Sequence, residues 1–187
     1  MTAPRALLAA LAFGFALSAA PPDDLTTVRT NVLLAMRAAR SFVVTSSPAS
    51  GNATATTTVF VAPDRYRYRY REHDAPVETI VVGETGYVGY RGQPYAIIPG
   101  APVATALRQM TLRDVTVDAL EPDAALGGVR YGRFTTAEPA ERRVRLTCAY
   151  DKASYRIVRC ASVDWRVAFS RYDDPANVVA APATLDH

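Results

Sequence analysis

Two histidines are all the imidazole this 187-residue chain can offer to catalysis: His73 in a turn-like Glu72-His73-Asp74 segment, and His187 at the last position. A serine–histidine–carboxylate relay needs an imidazole held between nucleophile and acid. Recruiting His73 would mean drawing it out of a solvated loop, so a polar turn residue is the simpler reading. Acidic pairs occur at Asp23-Asp24 and Asp173-Asp174. Sequence neighbours at a helix start or a corner are ordinary solvated groups, whereas glycoside hydrolysis needs two carboxyls facing each other across a cleft. No spacing of histidines or cysteines suits zinc, no oxygen-rich loop suits calcium, and no glycine-rich loop suits phosphate. The sequence therefore predicts no catalytic residue, no metal, no cofactor and no enzyme.

The cysteines give a firmer expectation. Cys148 and Cys160 flank Asp151-Lys152-Ala153-Ser154, a turn between two strand-like runs. A hairpin loop centred on Ser154 sets the two cysteines opposite each other on one face, within disulfide reach. An exported chain favours the bond; two buried free thiols are the alternative. There is no Cys-x-x-Cys pair to suggest redox work.

A second constellation is Arg65-Tyr66-Arg67-Tyr68-Arg69-Tyr70-Arg71. Strict two-residue alternation puts the tyrosines on one face and the arginines on the other, which suits a half-buried strand and no helix. The rings either cover the core, with each hydroxyl at a polar rim, or line a ligand cavity. The arginines form a solvated surface that snorkels its stems along neighbours, or else attract anionic headgroups or an acidic partner.

The elements around these residues read mostly as antiparallel sheet. An N-terminal leader is expected over residues 1–20: Arg5, an apolar run from Ala6 to Leu17, and small residues Ser18-Ala19-Ala20 before Pro21-Pro22. The run is shorter than the roughly 20 residues that span a bilayer, so cleavage and export to the periplasm or beyond are expected. No cysteine near the leader offers a site for acylation. Residues 21–187 then make one domain. The formal charge of +3 is too small for a nucleic-acid binder, and a monomer is expected.

Asp23-Asp24 caps a helix whose Leu25, Val28, Val32, Met36 and Ala39 form one apolar stripe. Strands are expected at residues 41–45, 56–61, 65–71, 78–82 and 87–91, with a soft loop at 46–52. Asn52-Ala53-Thr54 there matches a glycosylation acceptor but reads as an ordinary turn. Residues 94–101 read as irregular, 102–110 as a short helix, and further strands fall at 113–120, 129–136, 142–163 as the cysteine hairpin, 165–172 and 177–181. Trp165 reads as a packing residue. So large a sheet must curve, and the helix stripe fills its concave side.

The order of these elements resembles the bacterial outer-membrane lipoprotein carrier (LolA/LolB-like) superfamily, including its exported lipid-binding relatives. Three motifs carry the likeness: residues 59–67 (Val59-Phe60-Val61-Ala62-Pro63-Asp64-Arg65-Tyr66-Arg67), the hairpin Thr79-Ile80-Val81-Val82-Gly83-Glu84-Thr85-Gly86-Tyr87-Val88, and the ending from Val167 to Pro182. The resemblance spans residues 25–182. It implies an α+β fold, a half-open antiparallel β-barrel wrapped over the N-terminal amphipathic helix, with an apolar cavity for lipid or lipoprotein acyl chains. The strict carriers have an arginine before the corner proline that holds a lid closed; here that position is Ala62. The expected cavity residues are Val28, Val32, Met36, Tyr66, Tyr68, Tyr70, Ile80 and Val82. The leading expectation is a non-enzymatic envelope carrier or binding protein. The alternative is a periplasmic sensing module with an envelope protein partner, since relatives of this fold regulate stress signalling in that way.

Overall fold

The computed structural model describes residues 23–50, 54–90, 93–137 and 145–183. The expected leader, Asn52 and His187 lie outside them. The described chain runs α1 (Leu25–Ala38), β1 (Ser41–Pro48), β2 (Thr56–Val61), β3 (Arg65–Glu72), β4 (Ala75–Val82), β5 (Thr85–Tyr90), β6 (Ala96–Pro99), α2 (Gly100–Met110), β7 (Ala119–Leu126), β8 (Val129–Ala137), β9 (Arg145–Tyr150), β10 (Ile157–Ala161) and β11 (Trp165–Ser170). The eleven strands form one antiparallel sheet in the order β6-β5-β4-β3-β2-β1-β11-β10-β9-β8-β7. The sheet is not closed: β6 and β7 are its two edges, and α2 lies on the chain that connects them.

Helix α1 starts where Asp24 caps it, its carboxylate accepting the Thr27 amide at 2.9 Å. Four-residue spacing then stacks Val28, Val32 and Met36 on one face, each at 0% exposure. They share one core with Phe42, Val44, Phe60, Tyr66, Val81, Phe134, Leu146 and Phe169, and these strand residues define the inner face of the sheet. Phe42 sits centrally, 5.1 Å from the Phe60 ring and 5.3 Å from the Tyr172 ring.

Register decides which side chains share a face. His73 and Asp74 form a two-residue β3–β4 turn, both in the left-handed region (φ 47° and 67°) that tight hairpins require. Tyr66 therefore pairs with Val81 and Arg67 with Ile80. His73 is exposed in that turn. Cys160 pairs with Cys148, and the two form a disulfide with Cα atoms 4.0 Å apart. The hairpin is centred as expected, with a bulge between Ile157 and Arg159 nearer its tip.

Several boundaries differ from the sequence reading. Strand β1 continues through the expected loop to Pro48, because Ser46, Ser47 and Pro48 pair with β11. Residues 96–99 are a strand, not irregular chain, and Ile98 fits over Gly86, where an added Cβ would lie 2.8 Å from it. Residues 115–118 carry a strand-like alternation that buries Val115 and Val117, yet β7 begins only at Ala119. The Val117 carbonyl there accepts from the Arg29 side chain (Nε, 2.9 Å). Residues 177–181 form no strand; the Asn177 side-chain Nδ2 instead donates to Ser41 Oγ at 3.0 Å and to the Arg171 carbonyl at 2.6 Å.

Candidate functional site

On the inner face, the core is incomplete where the C-terminal end of α2 meets the middle of the sheet. A hollow of about 340 Å³ lies there. Its walls come from Val44 and Ser46 of β1, Thr56 and Thr58 of β2, Tyr68 of β3, Leu146 of β9, and Trp165 and Val167 of β11. Gln109, Met110 and Leu112 close it from the α2 side. Strand alternation explains the set: Val44 pairs with Thr58 and Phe169, while Ser46 pairs with Val167 and Thr56, so these positions all face inward. Trp165 (42% exposed) and Met110 (41% exposed) stand at the rim, where the hollow meets solvent.

The lining is mostly apolar, with hydroxyl and amide groups rather than charges among it. Such a surface can take an unbranched apolar chain and offer hydrogen bonds at a polar end. The volume lies at the small end of the roughly 300–1,000 Å³ typical of ligand pockets. That suits one slender tail better than a bulky lipid.

The expected cavity residues divide into three groups. Tyr68 lines the hollow, and Tyr70 stacks on it at 5.0 Å. Tyr66 is buried against Phe60 at 5.3 Å; burial pushes its phenol above the ordinary range, countered in part by the Arg108 and Arg113 guanidinium groups. Val28, Val32 and Met36 are sealed within the packed core and do not reach the hollow. Ile80 and Val82 require correction: they lie on the outer face, opposite Arg67 and Arg65. The two-residue turn sets that parity, and it puts Val81, Thr79 and Val77 beside the tyrosines instead. Trp165 also changes role, from packing residue to part of the rim. The Trp165-Val167-Phe169 alternation could have assigned its face; nothing local could have brought it to α2.

Arg113, three residues beyond the end of α2, ties α1 to the sheet. Its guanidinium lies 4.4 Å from the Phe60 ring centre and donates to the Arg37 carbonyl at 3.0 Å. The corner residue Ala62 has no such side chain; its amide donates to the Arg40 carbonyl at 2.7 Å, after which the chain turns through a cis Pro63. At the other end of α1, the Tyr150 hydroxyl donates to Asp23 at 2.9 Å, and Lys152 bridges Asp23 (3.2 Å) and Asp123 (2.9 Å).

The outer face is different in character. A shallow hollow of about 650 Å³ there is floored by small residues such as Ser47, Ala149 and Ala161, and Arg133, Arg159 and Arg166 stand around it. Among the described residues, no group of three or more His, Cys, Asp or Glu side chains is placed to hold a metal ion.

The fold of this chain is similar to that of several solved structures. Lipoprotein LppX from Mycobacterium tuberculosis is similar at a TM-score of 0.59 and 15% identity, covering 82% of this chain and 97% of that one. LprF from Mycobacterium bovis gives 0.58 and 13%, with coverage of 85% and 97%. An uncharacterised conserved protein from Thermus thermophilus gives 0.51 and 10%, with coverage of 83% and 96%. At these identities the likeness is one of fold alone, and it agrees with the open, mostly antiparallel sheet expected from the sequence. No family model matches the sequence, and no curated protein matches it.

Proposed function

We propose that this is an exported, monomeric, non-enzymatic protein that holds one apolar chain, a lipid or lipoprotein acyl tail, in the inner hollow. In this reading residues 21–187 are one domain and the sheet wraps α1 as a half-open barrel. The observation that carries the proposal is the apolar hollow opening between Met110 and Trp165. The shared fold with lipoprotein LppX and LprF lends support. The test is native mass spectrometry of protein purified without detergent. Co-purifying lipid at one per chain, lost on delipidation and regained with fatty acid, is the expected result. Protein that neither carries lipid nor takes up fatty acid would remove the proposal.

The outer-face arginines favour a second reading, a module that binds an acidic protein partner. It expects one stoichiometric partner from envelope extracts, released by high salt and indifferent to delipidation.

A further inference from the structure

We propose that the end of the sheet bearing the mouth of the hollow docks on an anionic lipid bilayer, so that a tail passes between membrane and hollow without crossing bulk water. This inference rests on reading the hollow as an acyl-chain site. Three observations meet at that end. First, the β10–β11 turn presents Val163 at 86% exposure, more than any other large hydrophobic among the described residues. The turn is ordered: the Ser162 amide donates to the Trp165 carbonyl at 2.9 Å, and the Ser162 hydroxyl accepts from the Trp165 amide at 3.1 Å. Second, Trp165 and Met110 continue the apolar edge from that turn to the mouth. An indole half in and half out of water suits the headgroup region of a bilayer.

Third, arginines flank the apolar edge. Arg166 follows Trp165 and points to the outer face, opposite Ser47 and Ala161. Arg145 opens β9, two residues before Thr147, which also pairs with Ala161. Both are exposed, and neither has an ion-pair partner among the described residues. Guanidinium groups free of carboxylates are free for lipid phosphates. Asp164 is the acidic residue of the turn itself, and on the α2 side Arg108 faces Asp114 at 3.7 Å. The Cys148–Cys160 disulfide ties β9 to β10 just behind the turn, so Arg145 and Val163 stand on one braced hairpin. A turn tip and a rim are too small for a stable protein interface, which buries upwards of about 1,000 Å². A bilayer needs only a few inserted side chains and a layer of phosphate contacts.

The test is co-flotation with vesicles of equal parts phosphatidylglycerol and phosphatidylcholine, against phosphatidylcholine alone. Emission from Trp165, the single tryptophan, is followed in parallel. The expected result is binding to the anionic vesicles only, with a blue shift of Trp165. Removing both arginines (Arg145→Ser with Arg166→Ser) weakens binding by roughly 25-fold, about five-fold for each charge. Val163→Asp abolishes the blue shift. A charge-matched control, Arg40→Ser with Arg65→Ser at the opposite end of the sheet, binds as the wild type does. Equal loss in that control, or vesicle binding without any change in Trp165, overturns the proposal.

Lipid content by native mass spectrometry keeps the two readings apart. Variants that retain lipid but no longer float support docking as a separate step. Wild-type protein that takes up dispersed fatty acid but never floats sinks docking alone. Protein that floats with the blue shift but holds no lipid keeps docking and removes the acyl-chain reading.

Discussion

Val167→Phe tests whether the inner hollow is real space that a ligand uses. Val167 is half-buried, pairs with Ser46 and Cys160, and faces into the hollow. Phenylalanine adds four side-chain carbons, and the hollow of about 340 Å³ can take them without displacing a neighbour. A bound tail would lose contact worth about four methylenes at about 0.8 kcal/mol each, about 3 kcal/mol in total. That is a loss of affinity on the order of 200-fold. Stability should move the other way, because a ring in empty apolar space buries surface at no steric cost. In a filled core the same change would destabilise by about 1–3 kcal/mol through overpacking. Displacement of a fluorescent fatty acid gives the affinity, and urea denaturation gives the stability. Unchanged fatty-acid affinity together with a stability loss above about 1 kcal/mol would show that the site is packed core and holds no ligand.

Single side chains carry three further tests. Arg113→Met removes the guanidinium from the Phe60 ring and from the Arg37 carbonyl; a loss of about 2–3 kcal/mol is expected in urea denaturation. Asp173 accepts the Arg40 amide at 2.7 Å and pairs with Arg156. Burial pushes its carboxyl up, but the Arg40 amide and the Arg156 guanidinium outweigh that and hold it below the ordinary carboxylate range. A lowered folded-state pKa stabilises the fold above the unfolded value, and the contribution fades as pH falls through the folded one. Asp173→Asn, which tolerates the left-handed backbone there (φ 55°), should cost about 1.5–3 kcal/mol at pH 7. In denaturation measured across pH, the gap from wild type should close below about pH 4. Gly132→Ala should severely destabilise the protein, since its Cβ would clash with the hydroxyl end of the buried Tyr150 ring; thermal melting will show it.

Patterns carried by neighbouring residues were legible in the sequence. The Tyr/Arg alternation placed Tyr66 inside and the arginines outside, and the spacing about Ser154 put Cys148 opposite Cys160. The α1 stripe was equally plain, because four-residue spacing is a local property. The faces of Ile80 and Val82 depended on a turn length of two residues, and a slip of one there inverts every side chain that follows. Residues 115–118 alternate like a strand, but pairing is a matter of where backbone groups go, and the Val117 carbonyl goes to Arg29. The hollow was least legible of all. Its walls come from β1, β2, β3, β9, β11 and the end of α2, and no window of sequence holds Met110 and Trp165 together.

Quenching of Trp165 by a brominated fatty acid asks directly whether an acyl chain enters the hollow, since this one indole stands at its mouth. An acyl chain in the hollow gives saturable quenching that ends at one fatty acid per chain and is reversed by an unbrominated competitor. Quenching that rises linearly without saturating, or none at all, would contradict it.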